Sequence, residues 1–380
     1  MTRRIAIVGG GTGGTVLANN LAEELTGEID AGDVTVTLFN EGTDHVYKPV
    51  WLYVPFGQRE PADGRRPLRE VVDRRVDIRH DYVADVDPER KRLALADTER
   101  VSYDKLVIAT GSQLAPDRVP GLVEGGHHFY GEDGARALRD ELLTIEAGHI
   151  VLSVVGTPHM CPAAPLEFTF MVDDWLRERG RREAFDLTYT YPIMRVHGNE
   201  QIAEWAEPRL EARDIDIETM FNAEAVDPKA GTIESMEGTE LDYDLLVSIP
   251  PHTGSDLVEA ADLGQGGWVD VDKHTLEATG FDDVYAIGDA AQTGVPKAGS
   301  AAHYQANVVG QRLASEVRDR PAAAVYDGKT ICFIETGMDD ATFVEFDYER
   351  PPDPGEPTRA MHWSKLAYNE SYWLTARGLL

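Results

Sequence analysis

The amino-terminal segment constrains this chain more than any other part of it. Residues 5–8 form a short apolar run rich in β-branched side chains, which predicts a buried strand. Gly9, Gly11 and Gly14 follow with the spacing G-x-G-x-x-G, and an apolar pattern of helical period comes next. In this context Gly9 permits a tight turn, Gly11 admits a pyrophosphate to the backbone, and Gly14 lets the helix pack closely on the strand. The segment predicts a dinucleotide site at a helix N terminus, where free N–H groups attract phosphate; the alternative is an ordinary strand–turn–helix unit.

Length and hydropathy limit the class of protein. A chain of 380 residues is long enough for two or three domains with a full core. No apolar run reaches the roughly 18 residues of a membrane span, and the first strand begins too early to leave room for a secretory leader. We therefore expect a cytoplasmic protein, or one that binds peripherally to the cytoplasmic face of a membrane.

The charge balance is strongly acidic. The chain has 67 Asp and Glu against 36 Lys and Arg, with only eight lysines, and its formal charge is -31. The acid is dispersed, which suggests a halophilic protein, because molar salt shortens the Debye length to about 3 Å and screens self-repulsion. No basic stripe is present, so nucleic acid is not expected as a partner. An anionic membrane should repel the chain unless salt screens the charge and a local apolar patch binds.

A second strand is predicted at residues 34–39, and the fingerprint expects an acid near its end for a ribose hydroxyl. The candidates are Asn40, in the better register, and Glu41. The aromatic segment 45–56, which contains Lys48, predicts a loop or short helix beside the cofactor, although a hydrophobic core loop explains it equally well. Three short strands of a meander are predicted next, at residues 76–78, 82–86 and 92–96.

Two later apolar strands end in small residues. One precedes Ala109, Thr110 and Gly111, which allow a chain crossing to lie against a cofactor. The other precedes Gly288 and Asp289, whose carboxylate can hydrogen-bond a ribityl or ribose hydroxyl and cap the following helical segment.

A second α/β unit departs from the first at its turn. The predicted strand 150–155 leads into Gly156-Thr157-Pro158-His159-Met160-Cys161-Pro162, and a helix is predicted at 166–179. A nicotinamide dinucleotide needs glycines there, so we expect that the second substrate is not a nicotinamide. In place of those glycines, the turn contains Cys161.

These units predict an α/β fold with two Rossmann-like dinucleotide-binding domains of the FAD/NAD(P)-binding type, followed by a short C-terminal region with an amphipathic helix. The predicted domains are a discontinuous dinucleotide-binding domain at 1–115 and 250–322, which the family resemblance given next implies is FAD-binding, a second Rossmann-like domain without a nicotinamide fingerprint at 116–249, and the C-terminal region at 323–380.

The first fingerprint, the Ala-Thr-Gly segment and the late Gly-Asp together resemble the pyridine-nucleotide-disulfide oxidoreductase superfamily. Within it, the chain is similar to the sulfide:quinone oxidoreductase family and its relative flavocytochrome c sulfide dehydrogenase. The similarity rests on Cys161 followed by Glu167, on Cys332-Phe333-Ile334-Glu335-Thr336-Gly337, on Pro296-Lys297-Ala298-Gly299 and on the tail motif from Trp363 to Tyr368.

The resemblance implies oxidation of sulfide to polysulfide or sulfur, with electrons passing through FAD to a quinone. Cys161, on the sulfide side, and Cys332, on the flavin side, would form a redox-active disulfide or polysulfide bridge. A helix N terminus after Cys161 would lower its pKa. Many members have a third cysteine where this chain has Tyr130, so the FAD is expected to be noncovalent.

The resemblance and the motifs together give the predicted site. Glu167 and His197 are candidate proton acceptors, with a surface carboxylate and a solvated loop histidine as the alternatives. Lys297 and the helix at 301–317 would stabilise reduced flavin. No metal site is predicted. The full cofactor set is Gly9, Gly11, Thr12, Gly13, Gly14, Asn40, Glu41, Lys48, Ala109, Thr110, Gly111, Gly288, Asp289 and Lys297.

The quinone slot is assigned to Trp51, Tyr53, Phe333 and the aromatic residues of the tail. The tail helix, residues 361–377, is the expected membrane contact, and a homo-oligomer is expected. Three other functions stay open: an NADH:quinone oxidoreductase-like flavoprotein, a sulfide dehydrogenase that reduces a cytochrome, and a flavin-holding persulfide carrier without turnover.

Overall fold

A computed structural model describes residues 2–379, so Met1 and Leu380, the outer limits of the predicted domains, lie outside the described residues. The helices are α1 (Thr12–Glu24), α2 (Thr26–Asp30), α3 (Leu68–Val71), α4 (Leu122–Gly125), α5 (Glu132–Thr144), α6 (Ala164–Glu178), α7 (Glu200–Glu211), α8 (Asp256–Ala260), α9 (Gly299–Val317) and α10 (Arg359–Thr375).

The strands in chain order are β1 (Arg3–Val8), β2 (Val34–Phe39), β3 (Asp44–Val46), β4 (Arg65–Pro67), β5 (Asp77–Arg79), β6 (Val83–Asp87), β7 (Arg92–Leu95), β8 (Arg100–Ser102), β9 (Lys105–Ile108), β10 (Gln113–Leu114), β11 (Gly126–His127), β12 (Gly148–Val154), β13 (Phe185–Tyr191), β14 (Asp216–Thr219), β15 (Ala223–Asp227), β16 (Thr232–Ser235), β17 (Glu240–Asp242), β18 (Leu245–Ile249), β19 (His252–Thr253), β20 (Gly264–Gln265), β21 (Trp268–Asp270), β22 (Val284–Ala286), β23 (Ala291–Gln292), β24 (Thr330–Glu335) and β25 (Ala341–Phe346).

Two parallel five-stranded sheets organise the chain. The first has the order β22-β9-β1-β2-β5 and the second β11-β18-β12-β13-β14. β1 pairs with β2 from Arg3↔Val34 to Val8↔Phe39, and β12 pairs with β18 from Ile150↔Leu245 to Val154↔Ile249. Residues 5–8 of β1, residues 150–154 of β12 and all of β18 are buried, as expected where helices or loops cover both faces of a parallel sheet. The α/β fold with two Rossmann-like units is confirmed, while the domain boundaries stay a prediction.

Two local predictions are wrong. The segment predicted as the first meander strand is β5, which pairs in parallel with β2 and completes the first sheet, so the meander consists of β6, β7 and β8. The Gly-Asp segment is a single 3-10 turn, Gly288–Ala290, and no side chain caps it. The Asp289 carboxylate accepts a hydrogen bond from the Ser112 hydroxyl, 3.1 Å away, and does not cap a helix.

The C-terminal region packs on the rest of the molecule. β24 and β25 form an antiparallel hairpin in which Cys332 lies opposite Val344, and α10 contacts both strands. Tyr372 and Trp373 of α10 are buried, whereas Trp363 and Leu374 are exposed. The predicted aromatic face of the tail helix is therefore divided, and part of it lies in the protein core. No described helix is both long enough and apolar enough to cross a bilayer.

Candidate active site

A cavity of about 390 Å³ lies where the first sheet, the turn after β12, β24 and α10 meet. It brings together most of the predicted site: from the cofactor set every residue except Gly14 and Glu41, and from the catalytic set Cys161, Cys332 and Glu167. Of the residues assigned to the quinone slot, Trp51, Phe333 and the tail residues Tyr368 and Tyr372 also line it.

The glycine loop fits a dinucleotide. A Cβ on Gly9 would lie 2.3 Å from the Ala109 carbonyl oxygen, and one on Gly14 would lie 1.9 Å from the Gly9 carbonyl oxygen. Both positions therefore need glycine for packing. Gly11 is different: nothing lies within 4 Å of its Cβ position, and it begins α1 without a side-chain cap. The open side of Gly11 and the uncapped N–H groups of α1 suit a bound pyrophosphate.

Asn40, the predicted ribose contact, already makes hydrogen bonds within the protein. The Asn40 side-chain oxygen accepts a hydrogen bond from the Gly10 N–H at 2.9 Å, and its Nδ2 donates to the Gly42 carbonyl at 2.6 Å. Asn40 thus holds the glycine loop in place, and its bond to a ribose stays a prediction. Glu41 is exposed and does not line the cavity, so its placement does not support a cofactor role.

Two lysines line the cavity. Lys297 Nζ donates to the Asp289 carbonyl at 2.6 Å and lies 3.7 Å from the centre of the Trp268 ring, and burial lowers its pKa to about 8. Lys48 Nζ contacts the Met160 sulfur at 3.1 Å, and burial lowers its pKa also. Both can present positive charge to a reduced cofactor.

Contacts that sequence analysis missed join the glycine loop to the tail helix. The His45 Nδ1 bonds to the Gly10 carbonyl at 2.9 Å, and its Nε2 bonds to the Tyr372 hydroxyl at 2.7 Å. Tyr372 also bonds to Thr12 at 2.9 Å and stacks on Tyr47 with ring centres 3.8 Å apart. The helical spacing of Lys365, Tyr372 and Thr375 was the signal for this inward face of α10, since all three line the cavity.

The two cysteines lie in the same cavity and both are free thiols. Cys161 has a φ of +46°, a strained value for a residue with a side chain, which is typical of functional turns. Its N–H donates to the Lys297 carbonyl at 2.7 Å, in a bridge that joins the Met160 and Lys297 backbones. The turn after β12 is thus anchored to the segment that precedes α9.

Burial decides the protonation of these thiols. It raises the pKa of Cys161, and the charges of Glu167 and Cys332 act in the same direction, so the two sulfurs influence each other. Burial also raises the pKa of Cys332, to about 12. The expectation that a helix N terminus lowers the pKa of Cys161 is wrong. The hydrogen bond from Ala164 does lower this pKa, but the effect of burial is larger. Lys365 is the cation that favours both thiolates.

Glu167 is not a surface carboxylate. It is 3 % exposed and lies in direct contact with Lys365 Nζ, and its Oε1 accepts the Glu335 N–H at 2.9 Å. Burial raises the pKa of Glu167, although Lys365 opposes the shift. A buried carboxyl with a raised pKa beside two thiols can accept and hold a proton.

His197 lies outside the cavity lining. It is buried, its Nδ1 accepts the Asn199 N–H at 2.9 Å, and burial lowers its pKa to about 4. The alternative of a solvated loop histidine is therefore wrong, but the placement lends no support to a direct catalytic role.

A parallel-sheet fold with a dinucleotide cradle and two cysteines at one cavity defines a redox protein of the two-dinucleotide-domain class. The chain belongs to the pyridine nucleotide-disulphide oxidoreductase family, whose model matches residues 3–157 and 187–306. The predicted cofactor, FAD, is the one that flavoproteins of this family bind.

Similar proteins narrow the class further. The chain is 26% identical over 388 residues to the mitochondrial sulfide:quinone oxidoreductase of Dictyostelium discoideum, covering 97% of this chain and 85% of that protein. It is 24% identical over 360 residues to the mitochondrial sulfide:quinone oxidoreductase of Mus musculus, covering 92% and 79%. The X-ray structure of the sulfide:quinone oxidoreductase from Aquifex aeolicus matches its fold with a TM-score of 0.86 at 21% identity, covering 99% of this chain and 92% of that one. The predicted resemblance is confirmed.

Proposed function

We propose that this chain oxidises sulfide and passes the electrons through noncovalent FAD to a quinone. The observation that carries the proposal is the position of Cys161 and Cys332 on the cavity that also contains the glycine loop. The similarity to sulfide:quinone oxidoreductases over most of the chain supports it.

In the proposed reaction the oxidised pair is a disulfide. Sulfide attacks the Cys161 sulfur, so one S–S bond forms and the Cys161–Cys332 bond breaks, leaving a persulfide on Cys161 and a thiolate on Cys332. Joining these two as a trisulfide releases one proton and two electrons. FAD held at the glycine loop would supply the two-electron acceptor for this pair and the electron donor to the quinone. Repetition lengthens the bridge until polysulfide or sulfur leaves.

The residues around the sulfurs have separate tasks. Lys365 stabilises the Cys332 thiolate when the disulfide opens, because its charge lowers the pKa of that thiol against the effect of burial. Glu167 accepts the proton that the persulfide loses. Trp51, Phe333 and Tyr368 form an apolar wall for the quinone ring.

The acidic surface and α10 suggest where the protein works. We infer a halophilic protein on the cytoplasmic side of the membrane, in which the outward residues of α10, among them the exposed Trp363 and Leu374, contact the bilayer surface. A homo-oligomer is also proposed, since the outward part of α10 is short for a membrane contact on its own.

The test is sulfide-dependent reduction of decylubiquinone. The native protein is expected to turn over, while Cys161→Ser and Cys332→Ser each lose the activity. Met194→Ser is the matched control, because Met194 is a sulfur-containing side chain that is 81% exposed. Turnover with NADH but not with sulfide would identify an NADH:quinone oxidoreductase instead. No turnover with either donor, together with persulfide bound to the native protein, would identify a carrier.

A further inference from the structure

A buried polar network lies behind the two cysteines. It consists of Glu167, Lys365, Glu335 and His362, and we call it the carboxylate network. Lys365 Nζ contacts Glu167 directly and lies 3.8 Å from Glu335 Oε1, and the other Glu335 oxygen is 3.0 Å from His362 Nδ1. The Tyr53 hydroxyl donates to Glu335 at 2.8 Å. The groups therefore form a continuous chain of polar contacts.

The charge balance of the carboxylate network requires a proton. Glu335 is fully buried, and the exposed fractions of Glu167, Lys365 and His362 are 3 %, 7 % and 6 %. With both carboxylates ionised, Lys365 charged and His362 neutral, the network has one net negative charge on side chains that are at most 7 % exposed. An uncompensated buried charge is costly, and one further proton within the network makes it neutral.

The two ends of the carboxylate network lie in different surroundings. Glu167 and Lys365 line the cavity that contains the cysteines. At the other end, His362 lies on α10 between Met361 and Trp363, which are 37% and 67% exposed. Lys365 lies between the two carboxylates, so it can pass a proton to Glu167 while it takes one from Glu335, and it stays charged throughout.

The proposed reaction consumes a proton. When sulfide enters as HS⁻, the balance is HS⁻ + quinone + H⁺ → sulfur + quinol, where the sulfur stays in the polysulfide bridge. Sulfide is oxidised by two electrons and the quinone is reduced by two. The quinol needs two protons, HS⁻ supplies one, and the second comes from solvent.

We propose that Glu335 and His362 form the path by which this second proton travels from solvent beneath α10 to Glu167 and Lys365 at the cavity wall. The inference rests on the proposed function. Glu335 and His362 touch neither sulfur, so they act through Glu167 and Lys365 and are positioning and relay residues.

The titratable groups facing this path come from every element packed around it. Attraction to the carboxylates holds the pKa of Lys365 well above its usual range in spite of burial. Burial raises the pKa of Tyr53, which makes it a donor and not a charge in the network. The facing groups are Glu167 on α6, Tyr53 after the 3-10 turn Lys48–Leu52, Cys332 and Glu335 on β24, His362 and Lys365 on α10, and Cys161.

The kinetic test separates proton delivery from sulfide chemistry. In His362→Gln and Glu335→Gln, sulfide should reduce the flavin at the native rate, while reoxidation by quinone slows on the order of 100-fold, within the usual range for losing a proton-transfer group. Imidazole added to His362→Ala should restore the reoxidation rate, with a pH profile set by the imidazole. Arg359→Gln, an exposed change on the same helix, should behave as native.

A second readout does not depend on turnover. The resting protein at neutral pH should hold the extra proton, seen either as an infrared carboxylic acid band that Glu335→Gln or Glu167→Gln removes, or as an imidazolium signal of His362 in NMR. A resting protein with neither signal overturns the proposal, as does native reoxidation kinetics in His362→Gln. If the native protein does not use sulfide at all, the proposed function fails, which the native assay shows before any variant is made.

Discussion

Replacement of Lys365 by methionine is the most informative perturbation of stability. Lys365 is the single cation in contact with Glu167 and Glu335 in the described network, and methionine has a similar length without the charge. The variant leaves two buried carboxylates without their counter-ion.

The expected loss of unfolding free energy in Lys365→Met follows from how deeply the three groups are buried. Because all three groups are at most 7 % exposed, the cost should resemble that of breaking a buried ion pair by removing one partner, about 3–5 kcal/mol of unfolding free energy. Arg359→Met is the matched control. It removes a lysine-like charge from the same helix, but its partner Asp339 is 61% exposed, so about 1 kcal/mol or less is expected.

The stability deficit of Lys365→Met should also depend on pH, and the pKa of Glu167 sets the direction of that dependence. Burial already raises the pKa of Glu167 in the folded protein, and loss of Lys365 raises it further. A carboxyl with a raised folded-state pKa contributes its stability below the unfolded pKa and loses it as the pH rises through the folded value. The deficit of Lys365→Met should therefore grow as the pH rises above about 4.3, the pKa of a glutamate in an unfolded chain.

Urea unfolding of the native protein, both variants and Lys365→Met/Glu167→Gln measures these quantities. The double variant should regain much of the lost stability, because one buried charge has been removed with its partner. A Lys365→Met deficit below about 1 kcal/mol, or one that shrinks as the pH rises, would refute the account of a charged buried network.

Two further predictions concern the cofactor cradle and the surface. Gly14→Ala should abolish FAD binding, measured by flavin absorbance of the purified protein, because the alanine Cβ would lie 1.9 Å from the Gly9 carbonyl oxygen. Gly11→Ala should fold and only weaken FAD binding, because the space at that position is open. Equal flavin content in the two variants would contradict this prediction. Binding to anionic vesicles should be absent at low salt, appear in molar KCl and be lost in Trp363→Glu, whereas binding that weakens as salt is added would argue against an apolar contact through α10.

Strong local patterns predicted the fold well. The strand predicted at residues 34–39 has the same bounds as β2. A six-residue run rich in β-branched side chains between polar turns favours a strand over a helix. Residues 76–78 could not be assigned to their sheet, since pairing β5 with β2 depends on contacts between residues 40 positions apart in the sequence.

The site was predicted where it rests on backbone motifs and missed where it rests on tertiary contacts. The glycine loop and Cys161 stand out because their turns require unusual residues. Glu335 lay inside the quoted cysteine motif, but only the fold brings it to His362 and Tyr53. The pKa of Cys161 was predicted in the wrong direction, because a helix N terminus can be seen in a sequence and the depth of burial cannot.

The central claim is that sulfide delivers its electrons through the cysteine pair. Anaerobic stopped-flow absorbance of the flavin tests it most directly. We expect that sulfide bleaches the native flavin within one turnover, that the flavin of Cys161→Ser and of Cys332→Ser stays oxidised, and that NADH has no effect on any of the three proteins. Bleaching by NADH and not by sulfide, or equal bleaching by sulfide in the native protein and both serine variants, would contradict it.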